Sequence, residues 1–229
     1  MSQTKFNTQR LTTSAVMIAL AAILAMVCAL IPFLNLPFGG GFTVASMLPI
    51  VLISYMYGIK WGLFSSAVYS VIQIVMDLYL GKGSTIMALF MPNSEDFMGY
   101  GAAVAILIID YLIAYSVLGF GGIFRNKIKN KTVALALGAA LALTLRYIAH
   151  IISGFIFYGA WAEWFFSQDN FYSIGGWILD SFSGKGLALA YSVFYNGLYM
   201  IPEIIITVIA AVAISRIPVL KIQTKDFLT

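Results

Sequence analysis

The sequence predicts an all-α integral membrane protein, a bundle of six transmembrane helices with both termini in the cytoplasm. Three observations carry that expectation. The 229 residues are 61% hydrophobic and only 10% charged, with a mean hydropathy of +0.94, whereas soluble domains carry about 25% charged residues. A soluble globule this apolar lacks the polar side chains to cover its surface, and a bilayer removes that requirement. Six apolar segments follow one another along the chain. Lysines and arginines fall almost entirely on alternate connections between them.

The segments are 11–33, 43–58, 61–80, 99–123, 132–158 and 187–215, read together as a single membrane domain over 1–229. The first ends at Pro32 and a Pro/Gly stretch from Asn35 to Gly41. It is too long for the roughly 7–15-residue core of a signal peptide and is therefore expected to be a retained helix. The second is short for a span and closes at Tyr57-Gly58. A tilted or irregular helix covered by protein is the alternative there. The third ends at Gly81-Lys82-Gly83. Residues 81–98 and 159–186 are long connections, and the second holds Trp161, Trp164 and Trp177.

With the N-terminus inside, the cytoplasmic segments hold Lys5, Arg10, Lys60, Arg125, Lys127, Lys129, Lys131, Arg216, Lys221 and Lys225. The opposite loops hold Lys82 and Lys185 alone. Such a bias orients membrane proteins and requires an even number of spans. The acidic residues Glu95, Asp96, Glu163, Asp169 and Asp180 fall on the outer side. The net charge of +4 is therefore topogenic, and no nucleic-acid partner is expected.

Several chemistries have no signature. Cys28 is the single cysteine, so no internal disulfide forms, and its apolar setting predicts a buried thiol. Gly81-Lys82-Gly83-Ser84-Thr85 lacks the spacing of a phosphate loop. There is no His/Cys metal cluster, nucleophile elbow or ATP-binding motif, so no cofactor, metal or catalytic residue is expected. No internal repeat marks paired transporter halves.

Ionisable residues inside a membrane are expensive and mark function by default. Asp110, Arg146, His150 and Glu203 fall within helices, with Asp77 near the end of the third. Arg146 and His150 are four residues apart and share a helix face with Gly154 and Tyr158. Asp110 lies at a similar depth on the fourth segment. It either joins His150 to receive a heteroaromatic cation, with tyrosines offering cation–π faces, or forms a structural ion pair with Arg146. Tyr191, Tyr195 and Tyr199 form an i, i+4, i+8 stripe that an aromatic belt or helix packing explains. Asn196 needs polar partners. Pro202 is expected to loosen the helix, leaving Glu203 nearer the cytoplasmic side in a structural or coupling role. Ala15 and Ala19, then Ala21, Ala25 and Ala29, repeat small residues every fourth position. Such spacing admits another helix, from the bundle or from a partner.

Three stretches resemble a known family: Ile109–Tyr115 with Leu118-Gly119-Phe120, Arg146–Gly154, and Tyr191–Gly197 running to Pro202-Glu203. They are similar to the thiamine-specific S component among the substrate-binding S components of energy-coupling factor (ECF) transporters. The resemblance implies that Asp110 takes the family's acidic position, with Tyr111 beside it. It gives His150 the stacking histidine position, faced by Tyr158 where the family often has tryptophan. Tyr191 and Asn196 match a tyrosine and an asparagine that hydrogen-bond the vitamin. Five residues turn an ideal helix by about 140°, which would put Tyr191 near a helix end.

The resemblance further implies thiamine, or a related pyrimidine or thiazole compound, bound from outside. The S component then docks on a transmembrane scaffold subunit driven by two ATPases and topples to release its substrate. Ala15, Ala19, Ala21 and Ala25 form the expected docking face. The sequence departs from the family in lacking tryptophans after helix one and in helix three. Trp161 or Trp164 are the candidate substitutes, since Trp61 is at the cytoplasmic end. Two other classes compete. A stand-alone proton-coupled secondary transporter of a small heteroaromatic compound would use Asp110, His150 and Arg146 as a relay. A membrane enzyme would need partners for Asp110 and His150 that the sequence does not supply.

Overall fold

Apolar runs that must satisfy every backbone polar group within the bilayer fold as helices, and the described residues are helical almost throughout. The structure is a computed structural model and describes residues 3–36, 40–80 and 85–217. The Gly81–Ser84 stretch and Lys82, Lys221 and Lys225 lie outside the described residues.

Among the described residues five helices are long and apolar enough to cross a membrane. These are α1 (Gln3–Ala29), α3 (Ile59–Leu80), α5 (Tyr100–Gly122), α6 (Lys131–Phe157) and α9 (Gly184–Ile214). The second of the six expected spans does not appear as a helix of spanning length. Residues 43–58 yield only α2 (Leu48–Tyr57), ten residues long, of which nine are buried. At about 1.5 Å per residue it covers about half of a 30 Å hydrocarbon layer. Pro49 sits in its first turn, and residues 43–47 before it are irregular. Ser46 and Met47 of that stretch are buried, while Val44 is exposed. Three short helices unforeseen from sequence occupy the long connections: α4 (Thr85–Phe90), α7 (Ala162–Phe166) and α8 (Tyr172–Ser181).

α2 is the hub. It packs against α1, α3, the last turn of α5, α6 and α9, and its Ile50, Val51, Ile53 and Met56 are fully or almost fully buried. The chain reverses from α2 into α3 at one residue, Gly58, whose φ of +91° favours glycine. Ser54 brackets the end of α5, donating to the Gly119 carbonyl and accepting from Gly122 N at 2.9 Å. α6 starts cleanly because Asn130 caps it, accepting from Thr132 N at 3.0 Å and Val133 N at 3.2 Å. α9 runs unbroken through Pro202, so the expected loosening does not interrupt the helix.

The helices define two ends. At one, Arg10 stacks over Trp61 at 4.1 Å, and Arg125 donates to the Met56 carbonyl at 2.8 Å. Lys131 Nζ reaches the Arg125 carbonyl at 2.7 Å, and Ser215 Oγ bonds Thr132 Oγ1 at 2.8 Å. The start of α1 and the end of α9 thus share this basic end. The residues 40–47, α4, α7 and α8 occupy the other.

The small-residue ladder in α1 divides between two faces. Ala21 is fully buried in the core, so it is withdrawn from the docking face expected of it, while Ala15 and Ala19 are exposed and Ala25 is half-buried. From residue 15 to 21 an ideal helix turns by about 240°, which takes Ala21 off the face of Ala15 and Ala19.

Close helix approach gives a direct test. A Cβ on Gly138 would collide with the Gly121 carbonyl oxygen, whereas one on Gly101 would meet nothing within 4 Å. Gly138→Leu should lower stability by about 1–3 kcal/mol, read as a lower melting temperature of the detergent-purified protein. Gly101→Ala should leave the melt unchanged.

Candidate ligand-binding site

One face of α6 supplies the spine of a deep cavity. Arg146, His150, Gly154 and Tyr158 recur every fourth residue, and all four line a space of about 520 Å³. Their span is about 18 Å along the helix axis, with Arg146 at the depth of the bundle and Tyr158 at the helix end.

α5 brings the carboxylate. Its middle, Leu107–Ile113, is a π-helical segment. A widened turn changes which side chains share a face, and here Ile106, Asp110, Tyr111 and Tyr115 all reach the cavity. Nothing in the residue pattern announced this turn. Asp110 Oδ1 lies 2.7 Å from His150 Nδ1, and Ser153 Oγ donates to Asp110 Oδ2 at 2.5 Å. Both carboxylate oxygens are therefore engaged from α6. The bond to Asp110 fixes the proton on Nδ1 in the neutral ring, and His150 Nε2 is buried without a hydrogen-bond partner.

The alternative pairing of Asp110 with Arg146 is not formed. Arg146 stacks over the Tyr115 ring, its Cζ 4.3 Å from the centroid, and donates to Met47 Sδ at 2.7 Å. Its Nε has no partner. The bundle thus holds a guanidinium and an imidazole–carboxylate pair as separate polar groups in one cavity.

α9 forms the opposite wall with Tyr191, Tyr195, Asn196 and Tyr199. The tyrosine stripe is part of this lining as well as of packing. Tyr191 and Tyr195 stack at 5.5 Å, and Tyr199 meets the His150 ring edge-on at 5.9 Å. Tyr191 lies two turns inside α9 rather than at its end, because the helix begins at Gly184. It shares the lining with Asn196 because the cavity wraps around the helix. Asn196 spends its amide within the wall: Nδ2 donates to Ser192 O at 2.8 Å and His150 O at 3.3 Å, and Oδ1 accepts from Tyr199. The α6–α9 contact is tight, with Ser192 Oγ donating to Ile151 O at 2.7 Å.

Three connections close the upper part. Residues 40–47 between α1 and α2 form a strap, with Gly40 and Gly41 in the lining. Asn35 and Gly41 pair across its base, and Val44 N donates to the buried Cys28 Sγ at 3.3 Å. Glu203, only 1% exposed, holds the strap rather than facing the basic end. It accepts from Thr43 N at 2.5 Å and from Thr43 Oγ1 at 2.8 Å. α7 contributes Trp161, Trp164 and Phe165. Phe165 is fully buried against Phe171, Tyr191 and Tyr195. α4 and the loop after it contribute Leu89 and Asp96.

All six residues singled out from sequence, Asp110, Tyr111, His150, Tyr158, Tyr191 and Asn196, line this one cavity. Trp61 does not, since its Nε1 donates to Ser14 Oγ at the basic end. Sequence reasoning missed Asp96, Tyr115, the strap glycines and Arg146 as lining. The Tyr115 signal was present in the 109–115 stretch, while Asp96 looked like one outer acid among several. Among the described residues no group of three His, Cys, Asp or Glu side chains could hold a metal.

The comparisons with known proteins agree in direction. The sequence profile of the family described as Thiamine transporter protein (Thia_YuaJ) matches residues 11–103 and 96–174. The chain belongs to this family. Asp110, Tyr111, His150 and Tyr158 fall inside the matched stretch, and Tyr191 and Asn196 lie beyond it. The chain is 30% identical over 210 residues to the thiamine transporter ThiT of Bacillus subtilis (strain 168), covering 87% of this chain and 86% of the relative. The fold resembles a solved structure of ThiT from Listeria monocytogenes at a TM-score of 0.55 and 19% identity. That match covers 90% of this chain and 97% of the other. A multi-pass membrane protein and a transporter family therefore stand together, and the relatives are named as transporters, not enzymes.

The strap anchor is testable without any ligand. Glu203→Ala leaves the Thr43 amide without its acceptor, which should cost about 2 kcal/mol. A lower melting temperature and faster proteolytic cleavage within residues 35–47 are expected; cleavage at the wild-type rate would show that the anchor does not hold the strap.

Proposed function

We propose that this chain is the substrate-binding membrane subunit of an ECF-type vitamin importer, binding thiamine and presenting it to a transmembrane scaffold with ATPases. The observation that carries the reading is the Asp110–His150 pair, held at 2.7 Å inside a cavity walled by tyrosines. Family membership and the named relative support thiamine as the ligand.

Thiamine pairs a permanent thiazolium cation with an aminopyrimidine. A permanent cation needs negative charge and π-faces, and Asp110 with Tyr111, Tyr158 and Tyr191 offers both. An aminopyrimidine offers donors and acceptors at its edge, and the tyrosine-rich lining offers hydroxyls able to meet them. Its flat face stacks on aromatic rings, and His150 with Tyr158 presents such faces on one side of α6. Asn196 acts through the wall: its amide orients Tyr199 and ties α9 to the His150 carbonyl. Trp161 and Trp164 stand at the end of the cavity nearest Tyr158 and take the enclosing part played elsewhere by tryptophan.

Orientation follows from charge. The basic end carries Arg10, Lys60, Arg125, Lys127, Lys129, Lys131 and Arg216 and belongs in the cytoplasm, so the cavity faces outward. The sequence carries no ATP-binding motif, which is in keeping with dependence on partner ATPases. Ala15 and Ala19, exposed on α1, are the small residues a scaffold helix would approach. A stand-alone transporter is separated by a simple result, since proteoliposomes holding this chain alone would then accumulate thiamine down a proton gradient.

Titration of the purified protein with thiamine, followed by tryptophan fluorescence, tests the reading. Trp161 and Trp164 line the cavity and should report occupancy. Asp110→Asn should weaken binding about 10- to 100-fold, the range for losing a charge-assisted contact in a buried site. Wild-type affinity in that variant would refute the role of Asp110, and no wild-type response to thiamine would refute the ligand.

A further inference from the structure

The charged lining is uneven. Arg146 stands at the deep end, the Asp110–His150 pair at the middle, and Asp96 is the remaining charged residue of the lining. Both oxygens of Asp110 already accept hydrogen bonds from His150 and Ser153. Asp96 is different. Among the described residues no hydrogen bond or ion pair ends on its carboxylate, and only its backbone N–H is used, donating to Ser94 Oγ at 3.2 Å.

Its position is nonetheless fixed. The loop carrying Asp96 runs from α4 to α5. Asp77 Oδ2 accepts from Ile86 N at 2.9 Å and ties α4 back to α3. Leu89 of α4, 1% exposed, packs in a cluster with Ala103 and Ile106 of α5, against Phe157 and Tyr158 of α6. The same packing sets Leu89 against Tyr158, and Leu89 and Asp96 both line the cavity. Asp96 is half-buried, so its field is neither fully screened nor fully desolvated.

We infer that Asp96 is a second counter-charge for the ligand, a carboxylate at the cavity mouth that selects and draws in organic cations. This assignment rests on the proposed thiamine-binding function and adds a residue and a charge rule to it. The physical division is between rim and interior. A partly exposed charge at a rim acts on the association rate and its salt dependence, whereas a desolvated, hydrogen-bonded charge acts on dissociation. A quaternary thiazolium nitrogen has no N–H to donate, so its attraction to Asp96 is Coulombic and needs no hydrogen-bond geometry. Between Asp96 and Asp110 the tyrosine faces would carry the cation inward.

Stopped-flow tryptophan fluorescence on the full chain, with thiamine at low and high ionic strength, tests this. Asp96→Asn should slow association about 3- to 10-fold at low salt and flatten its salt dependence. Its dissociation rate should stay within about twofold of wild type, and Asp96→Glu should restore association. The neutral pyrimidine half of the vitamin, 4-amino-5-hydroxymethyl-2-methylpyrimidine, should bind wild type and Asp96→Asn alike. Wild-type association and salt dependence in Asp96→Asn, or an equal loss for the neutral compound, would overturn the assignment while leaving the thiamine reading in place. A wild type that does not respond to thiamine would overturn both.

Discussion

A carboxylate inside an apolar helix bundle has to be accommodated before it can be used. Asp110 is accommodated by two side chains of one helix, the His150 imidazole at 2.7 Å and the Ser153 hydroxyl at 2.5 Å. An unpaired buried charge costs several kcal/mol, and only well-formed hydrogen bonds offset that cost. The rest of the site depends on this interaction, because it fixes the relative rotation of α5 and α6. Once it forms, the imidazole is oriented, Tyr111 is carried to the same wall by the π-helical turn, and Gly154 and Tyr158 follow one and two turns further along.

The opposite wall is built to match. Asn196 ties α9 to the His150 carbonyl and to Tyr199, so the residue that holds the imidazole edge-on is itself held. One turn beyond Tyr199, Glu203 grips Thr43 and brings the strap across. Arg146 remains apart, stacked on Tyr115 and, among the described residues, without a carboxylate within ion-pair distance. Arg146, Asp96 and the Asp110–His150 pair are therefore separate charged groups in one cavity.

Much of this was legible in the residues. The membrane class followed from composition, and the α6 spine followed from Arg146, His150, Gly154 and Tyr158 at four-residue spacing. Two features escaped for physical reasons. Helix length cannot be read from apolarity when part of the flanking stretch is also buried, so 43–58 looked like one segment although only Leu48–Tyr57 is helical. A π turn changes the register of a helix without changing its composition, so the common face of Asp110 and Tyr111 was invisible. The resemblance had placed both residues, but not the means. Strap and loop residues such as Thr43 and Asp96 reach the cavity only through tertiary folding, and no local pattern marks them. The alanine ladder shows the converse error, since a repeat every fourth residue was legible while its division between Ala15/Ala19 outside and Ala21 inside depended on counting the turn between them.

The chain contains one histidine, so its imidazole can be observed without assignment ambiguity. Nitrogen-15 NMR of histidine-labelled protein, recorded before and after saturation with thiamine, reads both ring nitrogens at the centre of the site. The account predicts a protonated Nδ1 held by Asp110 in both states and a shifted Nε2 resonance when the ligand occupies the cavity. Imidazole resonances that stay unchanged at saturation would place the vitamin elsewhere and contradict it.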